Sequence, residues 1–442
     1  MALPAELQSL AFDPADAKTA LAQLPMASAV FALYGAEAHA EPYIGRTPNL
    51  RGRLERLLQP SEKYPRRLRL AGRVRKIRWR LTGSEFESLL KQFELMERVH
   101  GTKSLERMHL GAPSFVRFLG SNTYPRITVT NRPSQREAAW SYGPFPSRAA
   151  AERFADEALK LFLLRRCTDE LAPRPDHPGC VYSEMNMCLA PCYQGCSDER
   201  YAEEASAVER FLATRGKSRL VQLRTERDAA SVNLEFEAAA AAHAQLQRVE
   251  SVRSLTTELV RPLSLLRAVV LQASANADEI AVFLYENGRL NGPQGFSMQG
   301  YLLKGHDLSR TTNDAILVAA LAPQDCASSK SPDAPSLSAE SIAAEAASTE
   351  GSSAADQPAK LTRAELEARM EAVLAALSAP AGSNPTLRQG HLALLKRWYY
   401  RPEVRRAGEI FFPDVEGRWP IRALLRGVGR IAAIGIKASQ AE

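Results

Sequence analysis

The chain of 442 residues has no apolar run long enough to cross a membrane. Its most hydrophobic stretches are short pieces such as residues 280–285, far below the roughly 20 residues that a spanning helix requires, so a membrane protein is not expected. No basic-plus-apolar leader precedes Pro25, and there are only six cysteines, four of them in one short stretch. That usage argues against secretion and a disulfide framework, and points to the reducing cytoplasm. Acidic residues are scarce between positions 46 and 80, where only Glu55 and Glu62 occur. From about 323 to 360 the composition falls to Ser, Ala, Asp and Glu, too poor in large apolar side chains to fold, so this segment reads as a linker. With 45% hydrophobic and 24% charged residues, the remainder is enough for two or three globular domains.

What the chain does have is a set of four thiols, Cys167, Cys180, Cys188 and Cys192, spaced C-x12-C-x7-C-x3-C. Thiolates are soft ligands, and four of them complete the shell of either a zinc ion or an iron-sulfur cluster. Spacing does not separate the two. Cys196 and Cys326 read as incidental.

The net charge of +7 is modest, but the basic residues are unevenly placed. Arg46, Arg51, Arg53, Arg56, Arg66, Arg67, Arg73, Arg75 and Lys76 crowd the acid-poor stretch. A face of that density suits a polyanion: it binds phosphates without sequence preference and with steep salt dependence, which points to nucleic acid as partner.

In the same region, β-branched and aromatic runs start at Ala29 and at Pro42, like a small hairpin. Leu50, Leu54, Leu57 and Leu58 recur at helical spacing. Residues 74–81 read as a third strand and 84–99 as a second helix. Past a helical stretch at 198–258, strands are expected near 268–271, 279–285 and 288–298, with Asn287-Gly288 as a hairpin turn. Helices at 363–377 and 391–400 follow.

Two blocks resemble the UvrC family of excinucleases. The first runs from Tyr142-Gly143-Pro144-Phe145-Pro146-Ser147 through Cys167 and Pro178-Gly179-Cys180 to Cys188-Leu189-Ala190-Pro191-Cys192. The resemblance implies that the four cysteines hold a [4Fe-4S] cluster, with zinc as the alternative. The second is the β-β-α-β-α order itself, similar to the GIY-YIG nuclease domain, with Ala29-Val30-Phe31 and Tyr43-Ile44-Gly45 as the signature tripeptides. It implies hydrolysis of a DNA phosphodiester with magnesium or manganese, in which Tyr43 assists a water, and Arg53 and Arg46 carry phosphate charge. Two positions depart from the family pattern. Phe31 stands where a tyrosine is usual, and Gln92 where a glutamate holds the metal. A neutral amide is a poorer magnesium ligand than a carboxylate.

A third block, Asn233-Leu234-Glu235-Phe236-Glu237, is similar to the UVR motif, which in the family binds UvrB, the partner protein of the excinuclease. Leu234 and Phe236 would be the apolar anchors and Glu235 and Glu237 the charged rim. The following Ala242-His243-Ala244-Gln245 departs from the arginine-rich family sequence.

The expected fold class is therefore α+β: a GIY-YIG-type domain at 25–105, a connecting and cysteine-cluster region at 106–197, a helical region with the UVR motif at 198–258, a small β-rich region at 262–322, the linker, and a tail at 361–442. No Asp/Asp/His set or helix-hairpin-helix is visible beyond 310, so the second nuclease domain of UvrC is not expected. The expected function is single-site incision on the 3′ side of a lesion in nucleotide excision repair, as in the short homologues called Cho. The alternative is a catalytically inactive adaptor that binds DNA or UvrB.

Overall fold

A computed structural model of the chain describes residues 7–37, 40–58, 70, 72–134, 136–168, 170–299, 361–378 and 384–440. Arg66, Arg67 and the linker expected at 323–360 lie outside the described residues. The architecture is α+β, with three four-stranded antiparallel sheets, each flanked by helices.

The first unit comprises β1 (Gln8–Ala11), α1 (Ala17–Ala22), β2 (Ala29–Gly35), β3 (Tyr43–Thr47), α2 (Leu50–Leu58), β4 (Val74–Leu81), α3 (Glu85–His100) and α4 (Ser104–Arg107). Its sheet runs β1-β4-β2-β3. The β-β-α-β-α order read from the sequence is present, with β1 added at the edge. Alternation along β2 sends side chains to opposite faces. Ala29, Phe31 and Leu33 join Leu50, Leu54 and Leu58 of α2 in one core, while Val30 packs against Leu95 of α3. Ser84 caps α3, its hydroxyl accepting from the Glu87 N–H at 3.1 Å.

The second unit contains β5 (Ser114–Phe118), β6 (Ile127–Thr130), β7 (Ser141–Phe145), α5 (Arg148–Leu159), α6 (Val181–Glu184), α7 (Asp198–Ala213), α8 (Lys217–Val232), α9 (Phe236–Ser254) and β8 (Arg261–Pro262), with sheet order β6-β5-β7-β8. This sheet replaces what the sequence reading treated as a connecting region. The single helical stretch expected at 198–258 is three helices. The chain breaks at Arg215 and Gly216, both at positive φ (53° and 78°), and again at Leu234 (φ 62°). A non-glycine residue in the left-handed region ends a helix without needing Gly or Pro as a visible breaker. Helix α7 belongs to the core of the second sheet, with Tyr201 and Phe211 buried beside Tyr142, Phe145 and Phe162. Helices α8 and α9 form the hairpin.

The third unit comprises β9 (Ala268–Ala273), β10 (Glu279–Glu286), β11 (Arg289–Ser297), α10 (Arg363–Leu377), α11 (Pro385–Tyr399), β12 (Glu409–Phe411) and α12 (Ile421–Gln440), with sheet order β11-β10-β9-β12. Asn287 and Gly288 both have positive φ (54° and 77°), as a type I′ hairpin turn requires. The sequence reading separated 262–322 from 361–442, and the sheet joins them: Glu409, Ile410 and Phe411 pair with Leu271, Val270 and Val269. The reason is burial. Strand β9 is apolar on both faces, Val269 and Leu271 toward α10 and α12, Ala268 and Val270 toward α11. A three-residue strand shows no periodicity by which to foresee its partner.

Helix α3 ties the first unit to the third. Its Leu95 faces the first sheet, whereas Phe86, Leu89, Leu90 and Phe93 enter a core with Phe283, Leu392 and Trp398. Gly390 of α11 lies against the Phe93 ring so closely that a Cβ there would collide with it. Gly390→Ala is therefore expected to destabilise the protein by about 1–3 kcal/mol through overpacking, read as a lowered melting temperature.

Candidate functional site

The cysteines lie in a loop region whose backbone is shaped by local hydrogen bonds rather than by long elements. Cys180 precedes α6, where its N–H donates to the Ser183 hydroxyl at 3.0 Å, and that hydroxyl donates to the Cys180 carbonyl at 2.6 Å. Cys192 sits in a short turn flanked by Ala190 and Gln194, both left-handed. Its carbonyl accepts from the Arg174 N–H at 2.9 Å, and Leu189 N–H donates to the Leu163 carbonyl at 3.0 Å. The result brings Cys167, Cys180, Cys188 and Cys192 around one cavity of about 10 Å3, lined also by Arg165, Arg166, Leu171, Tyr182 and Pro191.

The donor chemistry of this cavity suits a thiophilic metal. Ala190 N–H approaches Cys188 Sγ at 3.3 Å, and Arg165 Nη1 approaches Cys167 Sγ at 3.7 Å. Such N–H groups stabilise thiolate ligands. Arg165 is buried, with its Nε–H bonded to the Tyr124 carbonyl at 3.1 Å, so a fixed positive charge stands beside the sulfurs. Burial first, and then the three neighbouring thiols, push the Cys188 thiol up to about 11. A cation among the four would reverse that preference. In the arrangement shown, no group of three or more His, Cys, Asp or Glu among the described residues is set to hold a single ion. The four sulfurs surround the cavity without closing on one point. Cys196 does not line it.

The first sheet divides the four expected catalytic residues between its faces. Tyr43 pairs with Leu33 and shares the α2 side, where its ring lies 6.2 Å from that of Phe31 and it is 36% exposed. Arg53 projects from α2, half-buried. Arg46 pairs with Val30 on the α3 side and meets Glu85 at 3.4 Å. Gln92 is half-buried on α3, one turn before Leu95. Phe31 is fully buried under Gly45, so the hydroxyl it lacks would have nowhere to go but toward that backbone.

The carboxylates near Gln92 are engaged. Glu94 bonds Lys91 at 2.9 Å. Glu87 is buried, accepting from the Gly83 N–H at 2.9 Å, and burial raises its pKa despite that bond. A donor set for a hard divalent cation is thus not assembled here.

Of the basic residues, Arg56, Arg73, Arg75 and Lys76 are exposed. Arg51 is half-buried, its Nε–H donating to the Leu24 carbonyl at 2.6 Å, which helps fix α2. At the tip of the α8–α9 hairpin, Leu234 and Phe236 are 71% and 70% exposed, with Glu235 and Glu237 beside them in solvent.

Residues 115–211, from β5 into α7 and including all four cysteines, match the family model described as UvrC/Cho excinuclease, middle domain. The chain is 31% identical over 211 residues to the UvrABC system protein C of Alcanivorax borkumensis, covering 48% of this chain and 34% of that protein. It is 26% identical over 288 residues to that of Carboxydothermus hydrogenoformans, covering 65% and 47% respectively. These relatives are UvrC proteins, and residues 115–211 of this chain are similar to the UvrC middle domain. To the Escherichia coli UvrABC system protein C the identity is 27% over 241 residues, 54% of this chain and 39% of that one. The chain thus spans less than half the length of these UvrC relatives in its matched part. No solved structure matches it.

Two residues of the UvrC-type middle unit escaped the sequence reading. Arg165 was visible only as a basic neighbour of Cys167. Tyr201, far along the chain on α7, accepts the Arg165 N–H at 3.2 Å and donates to the Pro125 carbonyl at 2.8 Å, locking the cysteine loop to the β5–β6 hairpin. Nothing local in the sequence marks that long-range contact. Cys192 is the most buried of the four thiols, at 7%. Cys192→Ser is expected to remove whatever metal elemental analysis finds in the purified wild type, and to lower the melting temperature.

Proposed function

We propose that the chain incises DNA in nucleotide excision repair, cutting on the 3′ side of a lesion through its first unit. The observation that carries this reading is the match of residues 115–211 to the UvrC/Cho middle domain. Two neighbouring features support it: the β2-β3-α2-β4-α3 unit before it, which is read as GIY-YIG-like, and the exposed Asn-Leu-Glu-Phe-Glu tip after it. In this reading Tyr43, at an exposed strand start, positions or deprotonates the attacking water. Arg53 carries the charge that develops on the phosphate, whereas Arg46, on the opposite face of the sheet beside Glu85, does not reach that phosphate, and Arg56, Arg73, Arg75 and Lys76 track the backbone. Magnesium or manganese would supply Lewis-acid charge when bound, although Gln92 does not fit a ligand for it.

The cysteine centre is proposed to hold [4Fe-4S], with zinc as the alternative. Four thiolates suit either centre, and the cluster is preferred on the resemblance of the cysteine block to the UvrC family. Anaerobically purified protein is expected to show a broad visible absorbance shoulder, and a colourless protein containing zinc would overturn that assignment.

The hairpin tip is proposed to dock UvrB. Leu234→Ala with Phe236→Ala is expected to weaken that complex at least tenfold, as hot-spot apolar anchors do, while leaving the melting temperature nearly unchanged because neither side chain is buried.

A second reading, a non-catalytic adaptor, is favoured by Phe31, by Gln92 and by the engagement of Glu87 and Glu94. Incision of an end-labelled lesion-bearing duplex with magnesium or manganese, with and without UvrB, separates the two. A cut 3′ to the lesion is expected, lost in Arg53→Ala by about 100-fold or more and increased in Gln92→Glu. Salt-sensitive DNA binding without any cut, in both wild type and Gln92→Glu, would establish the adaptor.

A further inference from the structure

Glu85, the first residue of α3, stands at the seam between the first and third units and is gripped from both. Arg401, just beyond α11, approaches it with both arms, Nη1 to Oε2 at 2.7 Å and Nη2 to Oε1 at 2.9 Å. Arg46 reaches the same carboxylate from β3 at 3.4 Å. Arg397, one turn earlier on α11 and exposed, adds to the pull. The Arg401 hydrogen bond and these charges hold the Glu85 carboxyl below the usual carboxylate range, against a smaller opposing effect of burial. Two guanidiniums therefore share one carboxylate with a third one helical turn away, leaving two positive charges in excess. The cluster is open to solvent, with side-chain exposures of 47% for Glu85, 33% for Arg46 and 24% for Arg401.

Two acceptor oxygens held by a bidentate guanidinium and a second arginine reproduce how a phosphodiester presents its two non-bridging oxygens. Ion pairs this exposed are weak and salt-sensitive, so a phosphate can displace the carboxylate. The N-terminal end of α3 adds a favourable dipole for an anion at the same point.

We propose that Arg46, Arg397 and Arg401 form a phosphodiester-binding site for the DNA backbone across this seam, and that Glu85 occupies it until a phosphate takes its place. The proposal rests on the DNA reading above and extends the contact surface from the first unit onto the third, where α11 and the residues just after it supply two of the three arginines. It also makes Glu85 an internal competitor that tunes affinity rather than a metal ligand.

The test is titration of the full chain into a fluorescently labelled, lesion-free duplex at several salt concentrations, read by anisotropy. Glu85→Gln, which keeps size and hydrogen-bonding while removing the charge, is expected to tighten binding about three- to tenfold at low salt and to steepen the salt slope by about 0.9 per phosphate gained. Adding Arg397→Ala or Arg401→Ala to Glu85→Gln is expected to reverse the gain and flatten the slope by the same amount. If the Arg401 variant fails to fold, Arg397→Ala, on an exposed side chain, carries the comparison. Unchanged affinity and slope in Glu85→Gln, or tightening that persists in the double variants, would overturn the proposal while leaving the DNA reading intact. A wild type that does not bind duplex at low salt would overturn both.

Discussion

The arrangement of the whole chain depends on the two-sided burial of α3. A helix at the surface of one domain ordinarily has a polar face, but α3 packs Leu95 on one sheet and Phe86, Leu90 and Phe93 into the core of another unit. Both sides are apolar, so neither unit can release the helix without exposing large aromatic surface to water. The Phe93 ring against Gly390 and the Phe86 ring 5.2 Å from that of Phe283 make the join close-packed. Position follows from this. The segment carrying Glu85, Glu87 and Gln92 is held rigidly at the seam, and chemistry built there is shared between units.

The second unit solves a different problem. Among the described residues its cysteine region has one four-residue helix and a few turns, and a segment of that kind has little apolar surface with which to offset the entropy of ordering. Hydrogen bonds to Ser183, Arg174 and Leu163, together with the buried Arg165–Tyr201 link, hold the sulfurs near one another. A metal held by these sulfurs would close the same loop from inside, in the same direction as the protein framework.

Much of this was legible in the sequence where it rests on local pattern. Strands β2, β3, β4, β9, β10 and β11, and helices α2, α3, α10 and α11, follow from period-two and period-3.6 apolar spacing, and the Asn287-Gly288 turn from its left-handed preference. The thiol spacing foretold which side chains would share a cavity. What escaped is non-local. Strand β12 pairs with β9 across a long stretch of intervening chain, and the role of Arg401 depends on a residue far earlier in the sequence. The second sheet was missed because its strands are short and interrupted, and the inward bond of Arg51 to Leu24 leaves no trace in composition.

The pairing of β12 with β9 also orders events in time. On a ribosome working at about 5–20 residues per second, roughly 5–25 s separate the emergence of β11 from that of β12. Throughout that interval β9 presents an unpaired edge, and for most of it the aromatic side of α3 lacks α11. Exposed edges and aromatic faces are what chaperones and neighbouring nascent chains seize upon. The protein therefore passes through a stage of synthesis in which its first sheet is complete while the helix that will bind it to the rest is covered on one flank only.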